Sequence, residues 1–218
     1  MLESQLVNDI TSYLDKYKIR YSKEIHMGIG IPDVSINIGA SKNLPKITDY
    51  YLLSLIEYIS EKKHVSVNDL VDHFSYDKTK VQNYLNQLNS CGIAQEKNNQ
   101  IVLNRKIFRL NLGKIISIEA KIKDWKSGIL QAQRYLMFSD YSYLALPKDR
   151  INAANTDELI EAGIGLLAVS ASSMEEVIPP SHSTEWEYKQ KYIITSTIIQ
   201  KSPHLSNRRR DGVFSNLH

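Results

Sequence analysis

One short stretch of the sequence places an acid and a base side by side on a predicted strand. In residues 114–122, Glu119 and Lys121 alternate with Ile118 and Ala120. Because successive side chains of a strand point to opposite faces, one face is apolar and the other carries a carboxylate and an ammonium. Burying such a pair is costly, so we expect it to serve a function; the alternative is an ion pair exposed to solvent.

A second carboxylate begins an earlier strand with the same alternation. Asp33 opens the run 33–38, in which polar and apolar residues alternate. Two carboxylates on neighbouring strands repel each other unless a cation lies between them. Mg²⁺, or Mn²⁺ in its place, takes such ligands together with phosphate oxygens and makes water a stronger acid. We therefore predict a metal site formed by Asp33, Glu119 and the carbonyl of Ala120. Lys121 would offset the charge that develops on a phosphate.

The segments around these residues predict a mixed α/β sheet. The predicted order is a helix to residue 18, strands at 20–25 and 31–38, a strand at 115–122, helix 127–138, strand 141–146, helix 156–162 capped by Thr156, strand 165–169 and helix 186–200. Residues 108–112 are a short strand or a connector. Alternating strands and helices with short connectors imply parallel strand pairs with helices packed on the sheet.

A different pattern interrupts this order between the two carboxylates. Helical periodicity at 47–59, 67–74 and 78–90 is followed by two short extended pieces at 93–102. Three helices and a β-hairpin are the order of a winged helix. The sequence therefore predicts an inserted winged helix-turn-helix domain at 46–105, a discontinuous domain at 1–45 and 106–200, and a basic tail at 201–218.

The last predicted helix of the winged helix carries polar and basic residues on its outward side. The candidate DNA contacts are Lys78, Lys80, Gln82, Asn83 and Asn86, with Lys97 at the tip of the wing. Amides can pair with adenine, and lysines can reach phosphates or guanine. The segment 46–105 carries seven basic and seven acidic residues, however. Packing on a protein, dimerisation or positioning of the sheet domain therefore remain open alternatives.

The ordered set of Pro32-Asp33, Glu119-Ala120-Lys121 and the segment 131–135 resembles the PD-(D/E)xK nuclease superfamily. The resemblance covers roughly residues 1–171 without the inserted segment, which stands where the family usually has a short hairpin. It implies a restriction-endonuclease-like mixed sheet flanked by helices, with Asp33 and Glu119 as metal ligands and Lys121 as the catalytic lysine. It implies supporting catalytic roles for Glu3, Gln131 and Tyr135.

Simpler roles for these three supporting residues stay open. Glu3 is also well placed to interact with the positive end of the first helix. Gln131 and Tyr135 are four residues apart and share a helix face, which is also what an ordinary half-buried face would show.

Composition limits the protein's class. The formal net charge is +3, and Cys91 is the single cysteine, which excludes an intramolecular disulfide and fits a reducing compartment. Neither a signal peptide nor an apolar stretch of about 20 residues is visible, so we expect a cytoplasmic protein without a membrane partner.

The function that these observations favour is a metal-dependent DNA endonuclease, acting in restriction, phage defence or mobile-element processing. Its expected partner is DNA, and a homodimer or a larger defence or transposition complex is compatible with the sequence. The alternatives are a non-catalytic winged-helix DNA-binding regulator and an assembly subunit with a nuclease-like scaffold.

Overall fold

The computed structural model describes residues 2–41, 43–62, 64–108, 111–202 and 213–214. The chain divides into two compact units. The sheet unit comprises Met1–Ala40 and Leu112–His218, and the winged-helix unit comprises Ser41–Asn111. The divisions lie a few residues outside the boundaries at 46 and 105 that the sequence predicts.

The sheet unit is a six-stranded mixed sheet flanked by helices. In chain order it contains α1 (Glu3–Lys16), β1 (Tyr21–Lys23), β2 (Val34–Ile38), β5 (Lys114–Ala120), α6 (Trp125–Tyr135), β6 (Tyr141–Pro147), a 3₁₀ helix (Lys148–Ala153), α7 (Thr156–Glu161), β7 (Gly165–Val169), β8 (Met174–Ile178) and α8 (Tyr188–Lys201). The strand order is β1-β2-β5-β6-β7-β8. The β5–β6 and β6–β7 pairs are parallel, whereas β1–β2, β2–β5 and β7–β8 are antiparallel.

Helices cover both faces of this sheet. The alternation in β5 sends Ile116, Ile118 and Ala120 to the face covered by α1, where they are buried with Leu6 and Ile10. Helices α6, α7 and α8 cover the other face, where Ile115 of β5 is buried. The period-two pattern therefore predicted correctly which residues of β5 share a face.

The winged-helix unit contains three helices followed by a β-hairpin and a short helix. These are α2 (Tyr50–Glu61), α3 (Val67–Phe74), α4 (Lys78–Ser90), β3 (Ala94–Lys97), β4 (Gln100–Leu103) and α5 (Arg105–Phe108). Each of the first three helices has a side-chain N-cap: Asp49, Ser66 and Asp77 accept hydrogen bonds from backbone N–H groups of the first turn. Helices α3 and α4 match the predicted bounds 67–74 and 78–90.

The winged-helix unit is inserted where β2 and β5 would otherwise be joined by a hairpin turn. Ile38, the last residue of β2, pairs with Lys114, the first residue of β5. Beyond this pair, the buried Asn37 side chain donates to the Leu112 carbonyl at 2.8 Å and accepts from the Ala40 N–H at 3.3 Å. Gly113 has φ +69°, and an added Cβ would lie 2.3 Å from the Ile38 carbonyl oxygen, so glycine is required there.

Several local expectations differ from the structure. Residues 105–108 form a short helix that the sequence did not indicate. Of the predicted strand or connector at 108–112, residues 111 and 112 are described and lie in neither a helix nor a strand. Asn155, not Thr156, caps α7, since its side chain accepts from the Asp157 N–H. Asp124 caps α6, which begins at Trp125. The edge strand β8 was missed, because its two central glutamates give no clear alternation.

The predicted basic tail at 201–218 falls mostly outside the described residues. Of its described part, Phe214 is buried against the α1 face of the sheet, where its ring lies 5.6 Å from that of Tyr143. None of the helices in the described part of the chain is both long and apolar enough to span a membrane.

Candidate functional site

The pairing of β2 with β5 brings the two predicted carboxylates to the same end of the sheet. Val34 lies opposite Ile118, and Asp33, one residue before β2, extends this register towards Glu119. The Asp33 carboxylate accepts a hydrogen bond of 2.7 Å from the Ala120 N–H. The Asp33 side chain thus adds one more hydrogen bond to β5 at the point where the backbone pairing of β2 with β5 ends.

Glu119 is a buried carboxylate, 3 % exposed, and both of its oxygens are paired. The Lys121 Nζ lies 2.7 Å from Oε1, and the Tyr135 hydroxyl donates to Oε2 at 2.5 Å. The Lys121 side chain is 14 % exposed. The alternative of an ion pair exposed on the strand face is therefore wrong.

Tyr135 connects Glu119 to the loop that carries Asp33. Its hydroxyl also lies 3.1 Å from the Ile31 carbonyl oxygen. The loop approaches so closely that a Cβ on Gly30 would lie 2.6 Å from the Tyr135 ring. Gly30 leaves room for this ring, a role that no pattern in the sequence could reveal.

Helix α6 supplies a second close contact, at Gly128. A Cβ at this position would lie 2.6 Å from Leu144 and 2.9 Å from the Cγ of Lys121. Because Gly128 has no side chain, the aliphatic part of Lys121 can pass between the helix and the sheet. Gly128 was not among the predicted site residues.

The two further residues implied by the resemblance are placed differently. Gln131 is partly buried on α6 and accepts a hydrogen bond from the Ser127 hydroxyl at 3.3 Å, and no bond to Glu119 or Lys121 is described for it. Glu3 is exposed at the first position of α1. Its charge nevertheless reaches both Asp33 and Lys121.

The electrostatics of the site are those of two acids sharing one cationic side chain. Burial raises the pKa of Asp33 to about 6, opposed by the Ala120 N–H and reinforced by the charge of Glu119. Burial alone would lower the pKa of Lys121, but its hydrogen bond to Glu119 and the nearby acids raise it above the usual value. Burial and Glu119 also raise the pKa of Tyr135, which therefore stays protonated as a donor.

The donor set at this end of the sheet fits a hard divalent cation with few protein ligands. Asp33 and Glu119 are close enough for repulsion to raise the Asp33 pKa. Since the N–H and C=O of a strand residue point to the same side, the Ala120 carbonyl faces the Asp33 side. No group of three or more His, Cys, Asp or Glu side chains among the described residues is arranged to hold a metal. The oxygen atoms here that could hold a cation are those of Asp33, Glu119 and the Ala120 carbonyl, and Mg²⁺ bound by few protein ligands keeps several waters.

The winged-helix unit presents its predicted DNA contacts to solvent. Lys78, Lys80, Asn83, Asn86 and Lys97 are exposed, and Gln82 is partly buried. A polar cleft of about 340 Å³ lies between α4 and the wing and is lined by Gln82, Asn86 and Glu96, among others. Gln82 donates to Asn86 at 3.4 Å across one helical turn. Two amides are thus presented together, next to a carboxylate that repels phosphate.

Comparison with known proteins gives a match for this unit. Residues 51–105 match the family described as FeoC like transcriptional regulator. The matched segment runs from α2 to the start of α5 and identifies a winged-helix domain of the type found in these regulators. The match does not extend to the sheet unit, and no curated protein matches the chain.

Among solved structures, the chain is similar to the SPO1766 protein of unknown function from Silicibacter pomeroyi. The two are 14 % identical, with a TM-score of 0.46 over 94 % of this chain and 90 % of that chain. At this TM-score the likeness carries no argument about fold or function.

Proposed function

We propose that this protein binds DNA through its winged-helix unit and acts as a regulator. The observation that carries this proposal is the match of residues 51–105 to a transcriptional regulator family. The structure supports it with a helix-turn-helix, α3 and α4, whose second helix exposes lysines and amides. This is the second of the functions considered from the sequence, and the family match favours it over the nuclease.

Binding to duplex DNA tests this proposal. A selection of bound sequences from a random duplex pool should yield a preferred site, with affinity that falls as salt rises. Lys78→Gln should weaken binding to all duplexes, whereas Asn86→Ala should relax the preference at one position. Affinity that is the same for all duplexes and unchanged in both variants would contradict the proposal.

We propose as a second function that the sheet unit hydrolyses phosphodiester bonds with a divalent metal. One observation supports it: Asp33, Glu119 and Lys121 converge at one end of the sheet, with two acids sharing one ammonium. Buried charges of this kind destabilise the fold. Their presence at one site therefore favours a functional role for them. The family match lies in the other unit and favours the regulator, so this proposal rests on the geometry of the sheet unit alone.

The protein's own groups have distinct roles in this proposal. Asp33, Glu119 and the Ala120 carbonyl would hold the metal, which when bound lowers the pKa of water and polarises a phosphate. Lys121 donates towards the phosphate oxygens and offsets their developing negative charge. Tyr135 orients the Glu119 carboxylate through its hydroxyl and ties it to the loop before Asp33.

Cleavage assays separate the two functions. Duplex, single-stranded and branched DNA are incubated with Mg²⁺, Mn²⁺ or EDTA, and Mn²⁺ binding is measured by calorimetry. Asp33→Asn removes a ligand charge but can still accept from Ala120, so we expect activity to fall at least 100-fold with duplex binding unchanged. If the wild type binds Mn²⁺ no better than Asp33→Asn and cleaves nothing, the nuclease proposal is wrong and the regulator proposal stands alone.

A further inference from the structure

A chain of aromatic rings runs over one side of the winged-helix unit. We call it the aromatic face; it comprises Tyr50, Tyr51, Tyr58, His73, Phe74, Tyr76 and Tyr84, from α2, α3, the following turn and α4. Neighbouring ring centroids lie 4.0 to 6.4 Å apart, from the stacked Tyr58–His73 pair to the edge-on Tyr51–Tyr76 pair. Tyr50 and Tyr51 are 41 % and 58 % exposed. His73 is also exposed, and the other four rings are partly buried. Exposed aromatic side chains are enriched at binding surfaces.

Two ammonium groups lie over these rings. The Lys80 Nζ is 3.9 Å from the centroid of Tyr76 and 5.7 Å from that of Tyr51, and the Lys62 Nζ is 5.5 Å from Tyr58. Asp49 is the acid whose charge reaches both Tyr76 and Tyr84, and its carboxylate is engaged as the cap of α2. The two ammonium groups thus lie beside ring faces on this side of the unit.

The aromatic face and the polar cleft lie on different flanks of α4. Lys80 and Tyr84 are one turn apart and share one flank, which contacts Tyr51 and Tyr76. Gln82 and Asn86 are also one turn apart, and they line the cleft beside the wing. A duplex read by the cleft flank would therefore leave the aromatic face unused.

We propose that the aromatic face binds single-stranded DNA. Bases would stack on Tyr50 and Tyr51, while Lys80 meets the adjoining phosphate. Stacking platforms combined with positive charge are the general means of binding single strands, because every base has a flat face and every linkage a charge. This inference rests on DNA binding by the winged-helix unit. It adds that the flank of α4 with Lys80 and Tyr84 binds the single-stranded form.

The two lysines at either side of Thr79 provide a matched test. Lys78→Gln and Lys80→Gln make the same charge change at exposed positions of one helix, on different flanks. Binding of the full chain to labelled oligo(dT) and to a duplex is measured by fluorescence anisotropy at several salt concentrations. Lys80→Gln should weaken oligo(dT) binding several-fold and reduce the salt slope by about 0.7, whereas Lys78→Gln should affect only the duplex.

Tyr51→Ala tests the stacking part. We expect about tenfold weaker oligo(dT) binding, with urea unfolding checked against the wild type because the ring also contacts Tyr76. Equal losses of oligo(dT) affinity in Lys78→Gln and Lys80→Gln would overturn the inference, as would wild-type affinity in Tyr51→Ala. So would capture of a protein partner through this face by a chain that does not bind oligo(dT). Duplex binding without oligo(dT) binding refutes this inference alone, whereas loss of both refutes the proposed DNA binding as well.

Discussion

The two units present their charged groups in opposite ways. In the sheet unit, Glu119 is buried and bonded to Lys121, whose side chain is mostly buried, and Tyr135 donates to the second carboxylate oxygen. In the winged-helix unit, Lys78 and Asn86 are exposed on α4. Buried charges must be paired for the chain to fold, whereas exposed ones are held only by the helix that carries them. We therefore expect changes at the sheet site to alter stability together with function, and changes on α4 to alter binding alone.

The largest expected effect comes from removing the cation of the buried pair. Lys121→Met keeps most of the stem but leaves the Glu119 charge buried with only Tyr135 as partner, so the free energy of unfolding should fall by about 3–5 kcal/mol. Lys148→Met is the matched control, because Lys148 and Glu175 form an ion pair that is about half exposed on both sides. The control should leave the urea midpoint almost unchanged, since exposed ion pairs contribute little to stability. Similar urea midpoints for the two variants would show that burial does not distinguish the pairs.

A smaller loss is expected for Tyr135→Phe, which removes only the hydroxyl. The Glu119 carboxylate loses a charge-assisted hydrogen bond, which should lower the free energy of unfolding by about 1.5–3 kcal/mol. Tyr51→Phe in the winged-helix unit should be neutral within about 0.5 kcal/mol, since its ring is mostly exposed. Chemical denaturation of both variants measures the difference.

The next prediction concerns the pH dependence of stability in metal-free protein. The folded pKa of Asp33, about 6, lies above the ordinary value, so the folded state binds the extra proton and wild-type stability falls as pH rises from about 4 to 6. Asp33→Asn does not titrate, and it should be more stable than the wild type by about 1 kcal/mol at pH 7.5 and equal to it below pH 4. Thermal unfolding across this range tests the sign: a variant less stable than wild type at pH 7.5 would contradict it.

The smallest effect on stability is expected on α4. Lys78→Gln and Asn86→Ala should each change the free energy of unfolding by no more than about 0.5 kcal/mol, because both side chains are exposed. The same variants should weaken or redirect duplex binding. A loss of stability comparable to that of Tyr135→Phe would mean that the exposed side chains of α4 contribute as much to stability as the buried site of the sheet unit.

The sequence predicted the sheet site better than the surface of the winged helix, for a physical reason. Alternation in a strand determines which face a residue occupies, so Glu119 and Lys121 could be placed opposite Ile118 and Ala120. Once both strands were recognised, Asp33 could be predicted to lie near Glu119 on the neighbouring strand. The same period-two argument failed for β8, where no alternation is present.

Contacts that depend on the approach of distant segments could not be predicted. The close approach of Gly30 to Tyr135 and of Gly128 to Lys121 arises from loop and helix positions that no local pattern encodes. The aromatic face is similar, since its rings come from three helices and one turn and meet only in the folded unit. Helix bounds in the winged-helix unit were accessible because Ser66 and Asp77 are strong caps.

The paired ends of the insertion have a consequence for how such a protein could arise and be rebuilt. Because Ile38 and Lys114 are already hydrogen-bonded neighbours, a two-residue turn placed after Ile38 could close the hairpin with no change in the register of β2 and β5. In the topology of the sheet, the whole winged-helix unit takes the place of the loop between β2 and β5. The entropic cost of closing a loop grows only slowly with its length. Asn37 and Gly113 therefore mark a junction at which the winged-helix unit could be exchanged for another inserted domain. The sheet would keep its carboxylates in place.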